Sequence, residues 1–230
     1  MEIYRTEGIV LQTINFQDYD RILTVFSQNE GVIKLFVKGA NRIKQRGGVV
    51  TAPLTHLEIL YTKSKGDLLK CSSLTLLNAH LDLRTNLTTL EAACEMTQAV
   101  LQSQFPNSPA PSLYALLTAY LDKTPGMQDP YLLVASFYLK LLRHDGLLKI
   151  TPLGSVCAAC GLPLTDQHLS GGDSYCSKHA PLNSLFFSEE EISYLILLGY
   201  CQTYQQLADI TLTAEFLVKL KQFFVEHLHQ

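Results

Sequence analysis

Four side chains in the stretch Cys157–His179 constrain this chain more than any other feature. Cys157 and Cys160 form a C-x-x-C pair; Cys176 and His179 form a C-x-x-H pair after fifteen intervening residues. Each pair can wrap one edge of a tetrahedral ion, and three thiolates with one imidazole suit Zn2+ in a closed, four-ligand structural site. The intervening loop is rich in Gly, Ser and Asp and poor in large apolar residues. It has no means of building its own core, so a bound ion has to organise it. One structural zinc per chain is the expectation. The competing readings are a redox C-x-x-C pair or four unrelated residues, and His168 is the alternative to His179 as fourth ligand. A catalytic zinc is excluded by this ligand set, which leaves no open position.

The other three cysteines, Cys71, Cys94 and Cys201, lie in apolar segments and read as buried free thiols. Met1–Arg5 runs straight into a strand-like pattern, so no signal peptide is expected, and no apolar run reaches transmembrane length. A reducing cytoplasm without membrane attachment fits best. Charge divides the chain unevenly. Residues 1–80 carry ten Lys/Arg against seven Asp/Glu, or +3; residues 81–230 carry eight against fourteen, or -6. A polyanion is expected to meet the front of the chain.

Hydrophobic periodicity changes near residue 80. Before it, five short strands are predicted at Tyr4–Leu11, Ile22–Ser27, Val32–Lys38, Thr55–Tyr61 and Leu68–Leu76. Five strands in so short a span suggest a small closed barrel, most commonly of the OB type. After it, helices are predicted from a Thr88–Glu91 capping box to about Gln104, with Leu90, Cys94, Thr97 and Leu101 on one stripe, then at Ser112–Asp122. A third opens at Asp129-Pro130 and stops at Gly146, a fourth follows a capping box at Ser188–Glu191, and the last spans about Thr213–Leu228. The fold class is therefore α+β: an OB-fold barrel at 1–79, then a helical domain at 80–230 carrying an inserted zinc-binding loop at about 151–183.

The strand Val32–Lys38 carries the second chemical signal. Ile33, Leu35 and Val37 alternate towards a core, which turns Val32, Lys34, Phe36 and Lys38 outward. A basic, glycine-containing loop follows with Arg42, Lys44 and Arg46, and no acidic residue occurs from Gly31 to Leu57. Cations neutralise phosphates and an aromatic ring stacks on unpaired bases, so Lys34, Phe36, Lys38, Arg42, Lys44 and Arg46 form a candidate nucleic-acid site. The bland alternative is a solvated loop with Phe36 packed on a neighbour. Arg21, near Asp18 and Asp20, reads as an ion-pair partner ahead of a phosphate contact. No phosphate-binding glycine loop, nucleophile elbow or H-E-x-x-H motif is present, and Glu189–Glu191 reads as a helix start. An enzyme is not expected, nor a small-molecule substrate.

At this point two stretches acquire a family context. TEGIVLQTINFQDYDRILTVFSQNEGVIKLFVKGANRIKQR resembles the N-terminal OB domain of the RecO family of bacterial recombination mediators, and FYLKLLRHDGLLKITPLGSVCAACG with SGGDSYCSKH resembles that family's helix-to-zinc-loop segment. The resemblance covers nearly the whole chain in matching order. It implies a DNA repair and recombination mediator of the RecF pathway, cytoplasmic and nucleoid-associated. Such a protein binds single- and double-stranded DNA, anneals complementary strands, and with RecR helps load RecA onto strands coated by single-stranded DNA-binding protein (SSB), whose C-terminal tail docks on the helical domain. Two departures are visible: His179 stands where many members have Cys, and Ile43–Arg46 lacks the Ser often found beside a basic residue. The phosphate contacts Lys34, Lys38, Arg42, Lys44 and Arg46 are therefore carried over as a group. The sequence does not locate the tail's docking site: Lys140, Arg143 and Lys149 are available cations near the third helix, and snorkelling surface residues are the reading preferred for them. The competing class is a non-catalytic interaction adaptor with a structural zinc loop and no direct DNA binding.

Overall fold

In strand β1 (Tyr4–Phe16), Ile9, Val10 and Leu11 are buried, while the far end from Gln12 onward emerges into solvent. β2 (Asp20–Ser27) folds back on it, and Gly31 turns the chain into β3 (Gly31–Val37). β4 (His56–Ser64) and β5 (Gly66–Asn78) form a long hairpin. The five strands close in the order β1-β2-β3-β5-β4, with β4 pairing back to β1. Every pairing is antiparallel except β3 with β5. This is the OB-type barrel expected from strand count, and its one parallel seam was invisible in the alternation pattern. Val10, Leu23, Val25, Ile33, Leu35, Leu57, Ile59, Tyr61 and Leu69 fill the interior. A single helical turn, α1 (Gly47–Val50), lies between β3 and β4. The computed structural model describes residues 2–40, 47–64, 66–150, 155–164, 166–170, 173–207 and 210–228.

The chain forms two compact units, Met1–Gln128 and Asp129–Gln230. In the first, the barrel is joined by α2 (Leu87–Ser103) and α3 (Pro111–Lys123). The segment between these helices crosses the start of β3: Val32 bridges Pro106, and the Asn107 N–H donates to the Val32 carbonyl at 3.0 Å. Gly31 has φ +72°, and a Cβ there would lie 2.1 Å from the Ser108 carbonyl oxygen. Val32, expected to face outward with the lysines, is accordingly buried, because the connection between α2 and α3 covers that end of the strand. From α3, Tyr114 packs edge-on against Phe26 and its hydroxyl lies 2.8 Å from His56 Nε2. His80 bridges the Leu54 carbonyl at 2.7 Å and the Asp122 carboxylate at 3.1 Å.

α2 departs from expectation at both its start and its face. Its N-cap is Asn86, whose side chain accepts from the Thr88 N–H, not a capping box opened at Thr88. Its buried stripe is Thr89, Ala92, Ala93, Met96, Thr97, Ala99 and Val100, so Cys94 is exposed and Leu90 and Leu101 are only half-buried. Small residues let the helix approach closely, and the larger leucines sit on its flanks.

In the second unit, α4 (Tyr131–His144) is buried along almost every residue from Leu132 to Leu142 and supplies the core. Asp129 accepts from the Tyr131 N–H at its start. At its end Gly146, φ +75°, lets the Leu147 and Gly146 N–H groups return to the Leu142 and Arg143 carbonyls, the Schellman arrangement. Three short strands follow, β6 (Gln167–Ser170), β7 (Asp173–Tyr175) and β8 (Leu185–Phe187), in the order β7-β6-β8. α5 (Glu189–Tyr200) opens with the Ser188/Glu191 capping box read from the sequence. α6 (Ala214–Leu228) buries Phe216, Leu220, Phe223 and Phe224; Phe224 stacks on Tyr138 of α4 with centroids 4.3 Å apart. Among the described residues no helix is long and apolar enough to cross a membrane.

Candidate metal centre and nucleic-acid interface

Two tight turns bring four donor atoms together in the second unit. In the first, the Gly161 N–H donates to the Cys157 carbonyl at 2.8 Å, and Gly161 adopts φ +71° to bring the chain back past Cys160. The Cys157 N–H closes the loop on the Leu162 carbonyl, and Ala158 N–H ties it to Ser174 at the edge of β7. In the second turn the His179 N–H donates to the Cys176 carbonyl at 2.9 Å. The Sγ atoms of Cys157, Cys160 and Cys176 and a ring nitrogen of His179 all lie within 4.8 Å of one another. His179 Nδ1 is 3.2 Å from Cys176 Sγ and 3.7 Å from Cys157 Sγ. A tetrahedral ion with bonds of about 2.3 Å to sulfur and about 2.05 Å to nitrogen sets S–N edges of about 3.6 Å. The two S–N distances bracket that edge, and the four donors converge closely enough to hold one metal ion.

The electrostatics point the same way. Backbone N–H groups, that of Cys176 foremost, hold the Cys157 thiol down to about 5 from an ordinary 9.0, although burial opposes them. Cys160 moves upward: the Leu162 N–H works to lower it, but the Cys157 sulfur, desolvation and Cys176 together outweigh that donor. Each sulfur raises the cost of ionising the next, and a divalent cation removes that cost. His168 is not part of the cluster. It sits on β6 opposite Tyr175, with Nδ1 3.3 Å from the Ser184 hydroxyl and its ring 5.1 Å from that of Phe186.

On the barrel, Ile33 and Leu35 point inward and Lys34 and Lys38 are exposed, as the alternation predicts; Phe36 is half-buried. Phe36 makes an edge-to-face contact with Phe16 at 5.9 Å, so its neighbour is another strand of the same barrel. Cross-strand register sets Ile14 opposite Ile22, Ile22 opposite Phe36, and Phe36 opposite Lys70. Lys70 thus joins Lys34 on the outward face of the barrel, with exposed Lys38 just past the end of β3. Sequence reasoning missed it because the parallel β3–β5 pairing brings together residues that no local pattern connects. Arg42, Lys44 and Arg46 lie outside the described residues. Arg21 makes no ion pair with Asp18 or Asp20 among the described residues; its guanidinium donates to the Thr51 hydroxyl, and Asp20 instead accepts from the Gly39 N–H at 2.7 Å.

Of the cations near α4, Arg143 donates to the Gly199 carbonyl at 2.9 Å and stacks on Tyr200, and Lys149 pairs with Asp173 at 2.8 Å. Both serve the packing of their own unit. The thiols outside the cluster differ among themselves: Cys201 is buried as expected, Cys71 is half-buried, and Cys94 is exposed because the α2 stripe is rotated.

Two family models match the chain consecutively: recombination protein O N terminal over residues 1–80, and recombination protein O C terminal over residues 83–230. Similar proteins carry the name DNA repair protein RecO. That of Chlamydia pneumoniae is 27% identical over 209 residues, 91% of this chain and 81% of the relative. That of Symbiobacterium thermophilum is 28% identical over 225 residues, 96% of this chain and 85% of the relative. That of Acetivibrio thermocellus is 32% identical over 170 residues, 73% of this chain and 65% of the relative.

Proposed function

The chain belongs to the RecO family of DNA repair and recombination proteins, and from that premise we propose that it works by binding DNA through the outer face of its barrel rather than by catalysis. The observation that carries this reading is the lysine-flanked aromatic on β3: exposed Lys34 and Lys38 on either side of Phe36, on a barrel of the OB type. Arg42, Lys44 and Arg46 follow in the sequence and act with the two lysines as phosphate contacts.

In this reading the protein binds single- and double-stranded DNA and holds one strand by its backbone, leaving bases free to anneal. Together with RecR it helps load RecA onto strands coated by SSB. The helical domain holds the SSB tail, which raises the mediator's local concentration where coated DNA lies. Zn2+ occupies the Cys157, Cys160, Cys176 and His179 site as a structural ion, one per chain. Three thiolates and an imidazole match zinc's preferred donors and close its coordination shell. The protein acts in the bacterial cytoplasm at the nucleoid.

The test is a fluorescence-anisotropy titration of labelled single-stranded and duplex oligonucleotides across a salt series, with zinc content measured on the same sample. Binding to both forms with a steep negative salt slope and one zinc per chain is expected. Absence of binding at low salt in folded, zinc-loaded protein overturns the reading and leaves an adaptor.

A further inference from the structure

The barrel face that carries Lys34 and Lys38 also carries exposed apolar and aromatic side chains. Ile14 is 51% exposed, Phe16 41% and Tyr19 50%, all at the β1–β2 hairpin. They are not scattered. Strand parity places Ile14 and Phe16 on the side of β1 that faces away from the core, and register carries that side across Ile22 and Phe36 to Lys70. The row crosses four neighbouring strands, a span of about 15 Å at roughly 4.8 Å per strand. That length matches roughly four nucleotides stacked at about 3.4 Å each. The Phe16 and Phe36 rings meet edge to face at 5.9 Å with an interplanar angle of 87°, so the two rings offer faces in nearly perpendicular directions.

Charge frames this strip. Lys34, Lys38 and Lys70 lie on its β3–β5 side, and none of them forms an ion pair among the described residues. Lysines elsewhere do: Lys63 lies 3.6 Å from Glu30, Lys149 2.8 Å from Asp173 and Lys219 2.6 Å from Glu191. Among the nearby acids, Asp20 lies opposite Phe16 at the β1–β2 end of the strip, away from the lysines, with its carboxylate accepting from the Gly39 N–H; Asp18 sits in the hairpin turn, and Asp67 has the opposite strand parity to Leu68 and Lys70. An apolar row bordered on one side by uncompensated cations matches a ligand that is anionic along one edge and aromatic along the other. Single-stranded nucleic acid has that form, with its phosphates on one side and unpaired bases on the other. A duplex does not, because its bases are stacked on one another and closed to the protein's rings.

We propose that the β1–β2 hairpin is a base-stacking platform: Phe16, backed by Phe36 and extended by Tyr19, stacks on unpaired bases while Lys34, Lys38 and Lys70 hold the adjoining phosphates. The inference rests on the nucleic-acid reading above and deepens it by assigning the preference for unpaired strands to the hairpin rings and general affinity to the lysines. The rings gain nothing from a paired duplex, so their removal narrows the gap between the two forms.

The chain contains no tryptophan, which makes a direct test available. A Phe16→Trp variant carries a single indole at the centre of the platform. Its fluorescence is expected to be quenched on saturation with oligothymidylate and to change little on saturation with a blunt duplex of the same length. In parallel, Phe16→Ala with Tyr19→Ala is expected to weaken binding of labelled oligothymidylate about tenfold or more while leaving duplex binding within about twofold. Circular dichroism melting of both variants checks the fold, and the exposed positions predict little change. An indole unchanged on saturation with oligothymidylate, or equal losses for strand and duplex, overturns the platform. Because saturation is read by anisotropy of the labelled oligonucleotide, either result leaves the nucleic-acid reading standing. Failure of the unaltered chain to bind any oligonucleotide overturns both.

Discussion

Replacing Gly31 with Ala attacks the junction between the barrel and the α2–α3 connection that crosses it. Two costs add. The first is conformational: Gly31 has φ +72°, a left-handed backbone that costs an L-residue about 1–2 kcal/mol. The second is steric. The new methyl would lie 2.1 Å from the Ser108 carbonyl oxygen and 2.5 Å from its carbon, both backbone atoms with no rotamer to move. Relief requires the connection to lift from β3. That breaks the Asn107 N–H to Val32 carbonyl bond, worth about 0.5–1.5 kcal/mol, and partly uncovers Val32, whose full burial is worth about 1.5–3 kcal/mol. A total of about 3 kcal/mol follows, which for a unit of this size lowers Tm by about 10 °C. The assay is thermal and urea unfolding by circular dichroism, with Gly126→Ala as the control, since a methyl there meets nothing within 4 Å. A Gly31→Ala variant that melts with the control refutes the close approach of residue 108 to the barrel.

Two other predictions concern ionisable groups. Cys176→Ser or Cys160→Ser removes a ligand from the cluster, so purified variants are expected to contain well under one zinc per chain. Cobalt-loaded unaltered protein should show the thiolate-to-metal absorption of a tetrahedral site, and full metal content in either variant contradicts the four-ligand assignment. His56 is a pH-sensitive element of the first unit. Desolvation lowers its pKa below the ordinary 6.5, outweighing the opposing pull of Glu7. The unfolded chain then binds the proton first, so this residue's contribution is fully present above pH 6.5 and is lost as pH falls from there through the depressed folded value. A His56→Gln variant is expected to lose less stability than the unaltered chain between pH 7.5 and pH 5; an equal loss refutes the assignment.

Much of this architecture was legible in the sequence because local chemistry specified it. Gly146 ends α4, Ser188 with Glu191 opens α5, and the C-x-x-C and C-x-x-H pairs locate the metal cluster without reference to distant residues. What was not legible depended on long-range pairing. Lys70 joins Lys34 only through the parallel β3–β5 seam, and Val32 is buried only because residues 105–108 return across it. The α2 stripe failed for another reason. Leu90 and Leu101 mark one apolar face and Ala92, Ala93, Met96, Ala99 and Val100 mark another, and hydrophobicity alone does not say that the small-residue face is the one that packs. β1 runs on to Phe16, past the apolar run that marked its end, because its far half pairs with β2 while facing solvent. That extension is what brings Phe16 beside Phe36.

The central claim is that the outer face of the barrel carries the nucleic acid, and the salt dependence of binding measures it most directly. Each lysine bound to a phosphate of a single strand contributes about 0.7 to the slope of log affinity against log salt. A variant combining Lys34→Gln, Lys38→Gln and Lys70→Gln should therefore show a slope shallower by about 2, so that a fourfold rise in salt costs the unaltered chain about 20-fold more affinity than it costs the variant. Parallel salt plots for the two proteins, with the variant folded and metal-loaded, would contradict the account and move the nucleic-acid site off this face.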